Sequence, residues 1–288
     1  MPGVSDVAIE VSGLTKSYGA VEAVRGISFA VGRGEVFGLL GPNGAGKTTT
    51  VEILEGYRER TGGDVRVLGF DPERRDPRLQ ERVGIVLQSA GFYPRATVRE
   101  AVTHFAGVYP RPRGAEETIS LVGLEEKAGA RVSDLSGGQR RRLDLALALV
   151  GDPELVFLDE PTTGFDPAAR RTAWGVVRKL RDLGKTVLLT THYLDEAQAL
   201  SDRVAIVKDG VIVAEGRPDE LSATPGRYRV SYESAGRRVE LETDDPTDLL
   251  HRLTGDALAR GEQLRGLTVS RPTLEEVYLE LTEEDERT

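Results

Sequence analysis

Cysteine is absent from this sequence of 288 residues, methionine and tryptophan each occur once, and aromatic residues make up only 6%. Without cysteine the chain can form neither disulfides nor thiolate metal sites, and its composition fits a reducing compartment. Hydrophobic residues still amount to 39%, so the chain can build a substantial core in one or two domains.

Long apolar runs are also missing. The longest, such as residues 145–150 and 187–189, are far shorter than the roughly 20 residues that a membrane-spanning helix needs. The first residues, Met-Pro-Gly-Val-Ser-Asp, contain no basic region followed by an apolar one, so we expect no signal peptide. Any role at a membrane is therefore expected to depend on a partner protein.

Excess positive charge is missing as well, since 38 basic residues stand against 47 acidic ones and the net charge is −9. No basic field is available to attract nucleic acid, so we expect no nucleic-acid partner. Residues 221–288 contain 9 arginines, no lysine and 15 acidic residues, a balance of 9 − 15 = −6, so most of the net charge of −9 lies there. We interpret this part as a small α+β accessory domain with an acidic, disordered tip at residues 283–288.

The clearest motif is a glycine-rich run over residues 41–48, which fits the phosphate-binding pattern G-x-x-x-x-G-K-[ST]. An apolar run over residues 36–40 predicts a buried strand before it, and residues 49–54 predict a helix after it. The glycines allow successive backbone N–H groups to turn inward around phosphate oxygens. Lys47 would bridge the β- and γ-phosphates of a nucleotide, and the Thr48 hydroxyl would hold Mg²⁺. The expected nucleotide-binding residues of this loop are Gly41, Pro42, Asn43, Gly44, Ala45, Gly46, Lys47, Thr48 and Thr49.

A second motif consists of four apolar residues, 155–158, followed by Asp159 and Glu160. A fully apolar strand indicates a central place in a parallel sheet, and ligands bind at the carboxyl ends of such strands. Asp159 would then hold Mg²⁺ and Glu160 would orient or activate water. The alternative, a strand that simply ends in a polar loop, is weakened because the P-loop requires a carboxylate site for its metal.

Other segments are ambiguous when taken singly. Tyr18 is either a half-buried strand residue or a ring that stacks on a base, and alone the first interpretation would be preferred. Gln88 ends an apolar strand pattern and could be nothing more than that. His192 follows another apolar strand, and a lone histidine there is more often structural than catalytic. Ser-Gly-Gly at residues 136–138 precedes a helix and offers N–H donors to an anion, whereas the charge run at residues 140–142 predicts a solvated helix start.

Elsewhere the pattern predicts short strands at residues 7–11, 21–24 and 27–29, before the P-loop. Residues 98–125 are mostly helical in pattern with a break near residues 109–114, and Thr97 with Glu100 predicts a capping box.

The order of these motifs resembles that of the nucleotide-binding subunit of ABC transporters over residues 7–220. Leu-Ser-Gly-Gly-Gln at residues 135–139, between the P-loop and the acid pair, is the most specific part of the match. The resemblance implies an α/β P-loop NTPase domain at 1–220 with a RecA-like core, an antiparallel β subdomain and a helical subdomain. Residues 221–288 would be the accessory domain.

The resemblance also implies roles for individual residues. Tyr18 would stack on adenine, which reverses the interpretation from the residue alone. Gln88 would sense Mg²⁺ and couple to the membrane subunit. Asp166 would communicate across a dimer, and His192 would hold the γ-phosphate. The residues implied in catalysis are thus Glu160, His192, Gln88 and Lys47, and those at the metal are Thr48, Gln88 and Asp159.

Ser136, Gly137, Gly138 and Gln139 resemble the signature that contacts the nucleotide held by an opposite subunit. The sequence departs from the family pattern at Phe165, where leucine is commoner. Because phenylalanine is also apolar, this change puts little of the resemblance in doubt. The resemblance therefore implies a homodimer formed through ATP, with each nucleotide between two chains.

Three segments look like the ATPases of ABC-2-type exporters, including the daunorubicin-resistance type: residues 190–197, 91–94 and 272–279. They imply a separate membrane permease as partner and a place on the inner face of the cell membrane. Two alternatives stay open, an importer ATPase and a soluble ABC ATPase that acts on ribosomes or nucleic acid.

Overall fold

The computed structural model describes residues 6–86, 95–222, 228–234, 237–270 and 274–283. Its internal contacts divide the chain into two compact units, Met1–Glu215 and Gly216–Thr288. This boundary lies somewhat before residue 220, where the sequence analysis placed it. Within the described residues, no helix combines the length and the apolar character needed to cross a membrane.

The strands of the first unit are β1 (Val7–Tyr18), β2 (Val21–Gly32), β3 (Val36–Leu40), β4 (Gly62–Val67), β5 (Val83–Val86), β6 (Leu155–Asp159), β7 (Thr186–Thr191), β8 (Arg203–Lys208) and β9 (Val211–Gly216). Its α-helices are α1 (Lys47–Leu54), α2 (Pro77–Gln80), α3 (Val98–Ala106), α4 (Ala115–Leu121), α5 (Gly137–Leu149), α6 (Pro167–Asp182) and α7 (Leu194–Leu200). Short 3-10 helices lie at Pro72–Arg74, Glu125–Lys127 and Val132–Asp134.

A six-stranded sheet in the order β5-β6-β7-β3-β8-β9 forms the centre of the first unit. The strands from β5 to β8 in this order run parallel, and every residue of β3, β6 and β7 is buried. The predicted apolar strands and the α/β P-loop fold are thereby confirmed. The carboxyl ends of β6, β7 and β3 lie side by side, with Asp159 opposite Thr190 and Leu40 opposite Thr191.

A separate antiparallel sheet in the order β2-β1-β4 corresponds to the expected β subdomain. The prediction of two short strands at residues 21–24 and 27–29 is wrong, because β2 is one strand of 12 residues. Arg25 pairs with Thr15 and Ile27 with Leu14, so Gly26 is an extra residue with a φ of 89°. Such a bulge absorbs the glycine without ending the pairing.

The helical subdomain consists of α3, α4 and the first part of α5. As predicted, α3 begins with a capping box in which Thr97 and Glu100 each accept a hydrogen bond from the other's backbone N–H. Buried side chains of these helices, such as Ile119 and Leu143, belong to one hydrophobic cluster that also includes residues of β6 and β7. The helices are therefore anchored to the central sheet through a shared core.

The second unit contains α8 (Pro218–Ser222), β10 (Tyr228–Ser234), β11 (Arg237–Thr243), α9 (Pro246–Arg260), β12 (Arg265–Ser270) and α10 (Leu274–Glu283). Its three strands form an antiparallel sheet in the order β11-β10-β12. This is the α+β arrangement that the sequence predicts. The predicted disordered tip lies, except for residue 283, outside the described residues.

A chain that ends after Gly216 is expected to fold by itself, because both hydrophobic clusters of the first unit are built from residues before this point. We expect a cooperative thermal transition by circular dichroism, and ATP should raise its midpoint, as we also expect for the full chain. A truncated chain that melts without cooperativity would show that the second unit is part of the first unit's fold.

Candidate functional site

The P-loop connects β3 to α1, which begins at Lys47. Gly46, just before the helix, has a φ of 99°, and a Cβ atom there would lie 2.4 Å from the carbonyl oxygen of Ala23. A Cβ atom on Gly41 would lie 2.2 Å from the carbonyl oxygen of Val207. Both neighbours are backbone atoms that cannot yield to a side chain, so glycine is required at the two positions.

The side chain of Lys47 lies inside this loop, and the residue is only 4% exposed. Its Nζ donates hydrogen bonds to the carbonyl oxygens of Gly41 at 2.7 Å and Pro42 at 3.0 Å. Burial lowers the pKa of Lys47, while the charges of Glu160 and Asp159 raise it. The ammonium group thus lies at the centre of the loop, within electrostatic reach of both carboxylates. Of the other loop residues, Pro42, Asn43, Gly44 and Thr48 are exposed, Thr49 is half-buried and Ala45 is buried.

Asp159 is the last residue of β6 and is buried. The hydroxyl of Thr190, its partner in the sheet register, donates a hydrogen bond to Oδ1 of Asp159. Burial raises the pKa of this carboxyl and the Thr190 hydrogen bond opposes the rise. A buried carboxylate of this kind favours a bound cation, because the cation offsets the cost of desolvation.

Glu160 has an uncommon backbone conformation, with a φ of 45°. Its N–H donates to both the carbonyl oxygen of Thr190, at 3.2 Å, and the Thr190 hydroxyl, at 3.0 Å. The Thr163 hydroxyl donates to Oε2 of Glu160 at 3.1 Å, and Nδ1 of His192 lies 3.3 Å from Oε1. A glutamate in the left-handed region of φ and ψ is strained, so it persists only where surrounding contacts stabilise that conformation. Such residues occur preferentially at functional sites.

A buried network ties the loops around Glu160 and His192 to the helices behind them. Glu196 of α7 is fully buried, and its Oε1 accepts hydrogen bonds from the Thr162 hydroxyl at 2.9 Å and from Nε1 of Trp174 at 3.1 Å. Burial raises the pKa of Glu196. The sequence analysis did not single out this glutamate, and only its place on the same face of α7 as the apolar Ala197 and Leu200 could have indicated it.

The signature lies at the start of α5, as the sequence predicts. Ser136 is the N-cap, its Oγ accepts from the N–H of Gln139, and Oε1 of Gln139 accepts from the N–H of Ser136. Within the described residues, no hydrogen bond or ion pair joins residues 136–139 to the P-loop. Gly137 and Gly138 instead line a cleft of about 480 Å³ together with Glu160 and Asp166.

The remaining predicted residues differ in their surroundings. Tyr18 is 40% exposed, and its ring is flanked by Nζ of Lys16 at 5.0 Å and the Arg58 guanidinium at 5.3 Å. Asp166 caps α6, and its carboxylate accepts from the N–H groups of Ala168 and Ala169, at 2.9 and 2.8 Å. Gln88 and the exporter-like residues 91–94 lie outside the described residues, as do residues 272–273 of the third segment.

The oxygen donors at the site fit Mg²⁺. The described residues contain no cluster of three or more histidine, cysteine or acidic side chains that could enclose a metal. Mg²⁺ does not need such a cluster, because it keeps several waters and binds one or two carboxylates together with phosphate oxygens. The hard oxygens available are the buried Asp159 carboxylate and the hydroxyl of Thr48, at the exposed start of α1.

A groove of about 540 Å³ lies elsewhere on the first unit, lined in part by Glu55, Tyr57, Phe105, Tyr109 and Asp144. Glu55 directly follows α1, and burial raises its pKa to about 8, with smaller contributions from the charges of Asp159 and Glu52. The pKa of Asp144 is raised to about 6, also by burial, and the Arg141 charge opposes the rise.

Known proteins of one family match this chain. The family described as ABC transporter matches residues 24–163. The Nod factor export ATP-binding protein I of Rhizobium meliloti (strain 1021) is 40% identical over 98% of this chain and 90% of its own length. The daunorubicin resistance ATP-binding protein DrrA3 of Streptomyces coeruleorubidus is 38% identical over 99% of this chain and 98% of its own length.

Solved structures agree with this match. The ATP-binding subunit of an ABC transporter superposes with a TM-score of 0.70 at 24% identity over 95% of this chain and 99% of its own. The cbiO1 protein of Clostridium perfringens, part of the cbiONQ transporter complex, gives 0.68 at 27% identity over 76% and 92%. A dimeric bacterial ABC transporter cassette gives 0.63 at 25% identity over 73% and 98%.

The raised pKa of Glu55 predicts how stability depends on pH. Because the folded pKa of about 8 exceeds the ordinary 4.5, the contribution of Glu55 to stability is fully present below pH 4.5 and is lost as the pH rises through 8. Glu55→Gln should therefore gain stability relative to the wild type across this range. Urea unfolding of both proteins at several pH values would measure it, with the exposed Glu59→Gln as control. A difference between Glu55→Gln and wild type that does not change with pH would contradict the prediction.

Proposed function

Because this chain belongs to the ABC transporter ATP-binding family, we propose that it is the ATP-hydrolysing subunit of an exporter and drives a separate membrane permease. The relatives named for Nod factor export and daunorubicin resistance support this, since they align with nearly the whole chain, second unit included. The observation that carries the proposal is the acid pair beside Lys47, with Glu160 held by Thr163 and His192.

We assign the roles within one chain as follows. The P-loop binds the phosphates of ATP, and the Lys47 ammonium exchanges its two carbonyl partners for the β- and γ-phosphate oxygens. Adenine stacks on the exposed ring of Tyr18. Thr48 and Asp159 hold Mg²⁺, which supplies charge stabilisation at the phosphates. Glu160 accepts the proton of the attacking water, and His192 keeps the carboxylate oriented and contacts the γ-phosphate.

The active unit is a dimer in which each ATP lies between the P-loop of one chain and the signature of its partner. The start of α5 supports this, because Gly137 and Gly138 are its first two residues, and the first N–H groups of a helix have no partner within the helix and attract anions. The described residues also show no bond from this segment to the chain's own P-loop. ATP favours closure since both sets of contacts form only in the closed dimer. Hydrolysis removes the bridging phosphate and allows the dimer to open.

The groove lined by Glu55, Tyr57 and Phe105 is the surface that we assign to the permease. Tyr57 is well exposed and Phe105 partly so, and aromatic side chains at the rim of a groove are typical of protein contacts. Substituting Phe105 by Asp should leave ATP hydrolysis by the isolated chain unchanged and abolish its co-purification with a co-expressed permease partner. Retained co-purification would exclude this groove.

The role of Glu160 is tested by Glu160→Gln. The amide cannot accept a proton from water, so kcat should fall by about 100-fold or more while ATP binding is kept. Gel filtration with Mg-ATP should then show a stable dimer, because the bridging phosphate is not removed. Glu59→Gln, at an exposed carboxylate that belongs to none of the motifs, serves as control. Wild-type turnover in Glu160→Gln would contradict the assignment of the base.

Sharing of sites between chains is tested with Ser136→Arg and Lys47→Ala. The first substitution places a bulky side chain where the partner's γ-phosphate should bind, and the second removes the ammonium at the chain's own phosphates. Each variant alone should hydrolyse ATP poorly, although Ser136→Arg should still bind it as a single chain.

A mixture of the two variants contains dimers with one site that carries both defects and one that carries neither. Such dimers should recover part of the activity, as measured by phosphate release against the mixing ratio. Normal hydrolysis by Ser136→Arg as a strict monomer would refute shared sites.

A further inference from the structure

The three consecutive arginines after the signature differ sharply in their surroundings. The sequence predicts that residues 140–142 form a solvated helix start, and this is wrong for Arg141. Arg140 is exposed and Arg142 is half-buried, whereas the side chain of Arg141 is only 10% exposed. Burying a guanidinium is costly unless it is paired, so its partners indicate why it lies there.

Arg141 connects α5 to the end of β6. Its Nη2 donates a hydrogen bond to the carbonyl oxygen of Asp159 at 3.1 Å, in a buried environment. Its Nη1 lies 3.8 Å from Oδ2 of Asp144, one turn further along the same helix. Arg141 also lines the cleft that contains Glu160.

The peptide bond between Asp159 and Glu160 is therefore held on both sides. Arg141 binds its carbonyl oxygen, and Thr190 accepts from its N–H through both a backbone carbonyl and a hydroxyl. The plane of this peptide sets the direction in which Glu160 leaves the strand, at a φ of 45°. An unfavourable backbone conformation of this kind persists only where neighbouring groups hold it, and here hydrogen bonds hold both the C=O and the N–H of one peptide unit.

We propose that Arg141 is a positioning residue for ATP hydrolysis, which holds the Asp159–Glu160 peptide so that the Glu160 carboxylate points at the attacking water. Asp144, whose Oδ2 lies 3.8 Å from the other terminal nitrogen, orients the guanidinium. This inference rests on the role proposed above for Glu160. It also connects the helix that begins with the signature to the catalytic carboxylate of the same chain.

The experiment compares full-length variants in which a neighbouring arginine is the control. Arg141→Met combined with Asp144→Asn removes the clamp without leaving an uncompensated buried carboxylate. Arg142→Met removes an equivalent bond, because Arg142 donates from Nη1 to the backbone carbonyl of Gly123 at 2.7 Å, away from the acid pair. Circular dichroism melts establish that each variant is folded.

We expect kcat of the double variant to fall by about tenfold or more, since a small misplacement of a catalytic group has effects of this size. The Kd for ATP, measured by calorimetry, should equal that of the wild type, because the P-loop and Tyr18 are untouched. Arg142→Met should keep the wild-type kcat. Arg141→Lys, whose shorter side chain reaches the carbonyl less well, should lie between the two.

Two results would overturn the inference: an unchanged kcat in the folded double variant, or an equal loss in Arg142→Met, which would mean general damage to α5. If the double variant does not fold, the test rests on Arg141→Lys. A wild-type kcat in that variant would also overturn the inference. The proposed function is tested separately, by ATP hydrolysis in the wild type and its loss in Glu160→Gln. The role of Arg141 can therefore fail while the proposed function stands, and the reverse.

Discussion

Three fully buried parallel strands, β3, β6 and β7, end side by side, and the reactive groups of the first unit depend on this alignment. β3 leads into the P-loop, β6 ends in the acid pair and β7 precedes His192. Register pairs Asp159 with Thr190 and Leu40 with Thr191, so three loops distant in sequence begin at one edge of the sheet. The apolar composition of the strands is thus the cause of the site, because burial on both faces determines which strands lie at the centre.

Compensation of buried charge determines the arrangement around that edge. Lys47, Asp159, Arg141 and Glu196 are all buried, and each would be costly alone. Lys47 is held by the loop's own carbonyls, Asp159 and Glu196 accept from hydroxyls, and Arg141 donates to the backbone. These bonds restrict each group to one position, which a site that must orient phosphate and water requires.

The motifs predictable from sequence are those whose signal is local. The P-loop glycines, the apolar run before Asp159 and the capping box at Thr97 depend on neighbours within a few residues, and each was found. The continuous β2 was missed, because a glycine between two apolar pairs is compatible with both a break and a bulge. The buried state of Arg141 was missed for another reason: its partner, the Asp159 carbonyl, lies on a different element and carries no sequence signature. A run of charged residues therefore indicates exposure to solvent only where no backbone group of another element can bind one of the side chains.

The signature glycines differ from those of the P-loop in what surrounds them. Gly137 and Gly138 occupy the first two positions of α5, although glycine has a lower helix propensity than alanine. Neither has a positive φ, and among the described residues a Cβ on Gly137 would meet no atom within 4 Å. On Gly138 it would only make ordinary contact, at 3.5 Å, with the Cβ of Ala169. The P-loop differs, since there the chain's own backbone excludes a Cβ at Gly41 and Gly46. The fold itself therefore explains Gly41 and Gly46, whereas the described residues give no steric reason for glycine at 137 and 138. The proposed approach of a partner's phosphate to the start of the helix would supply such a reason.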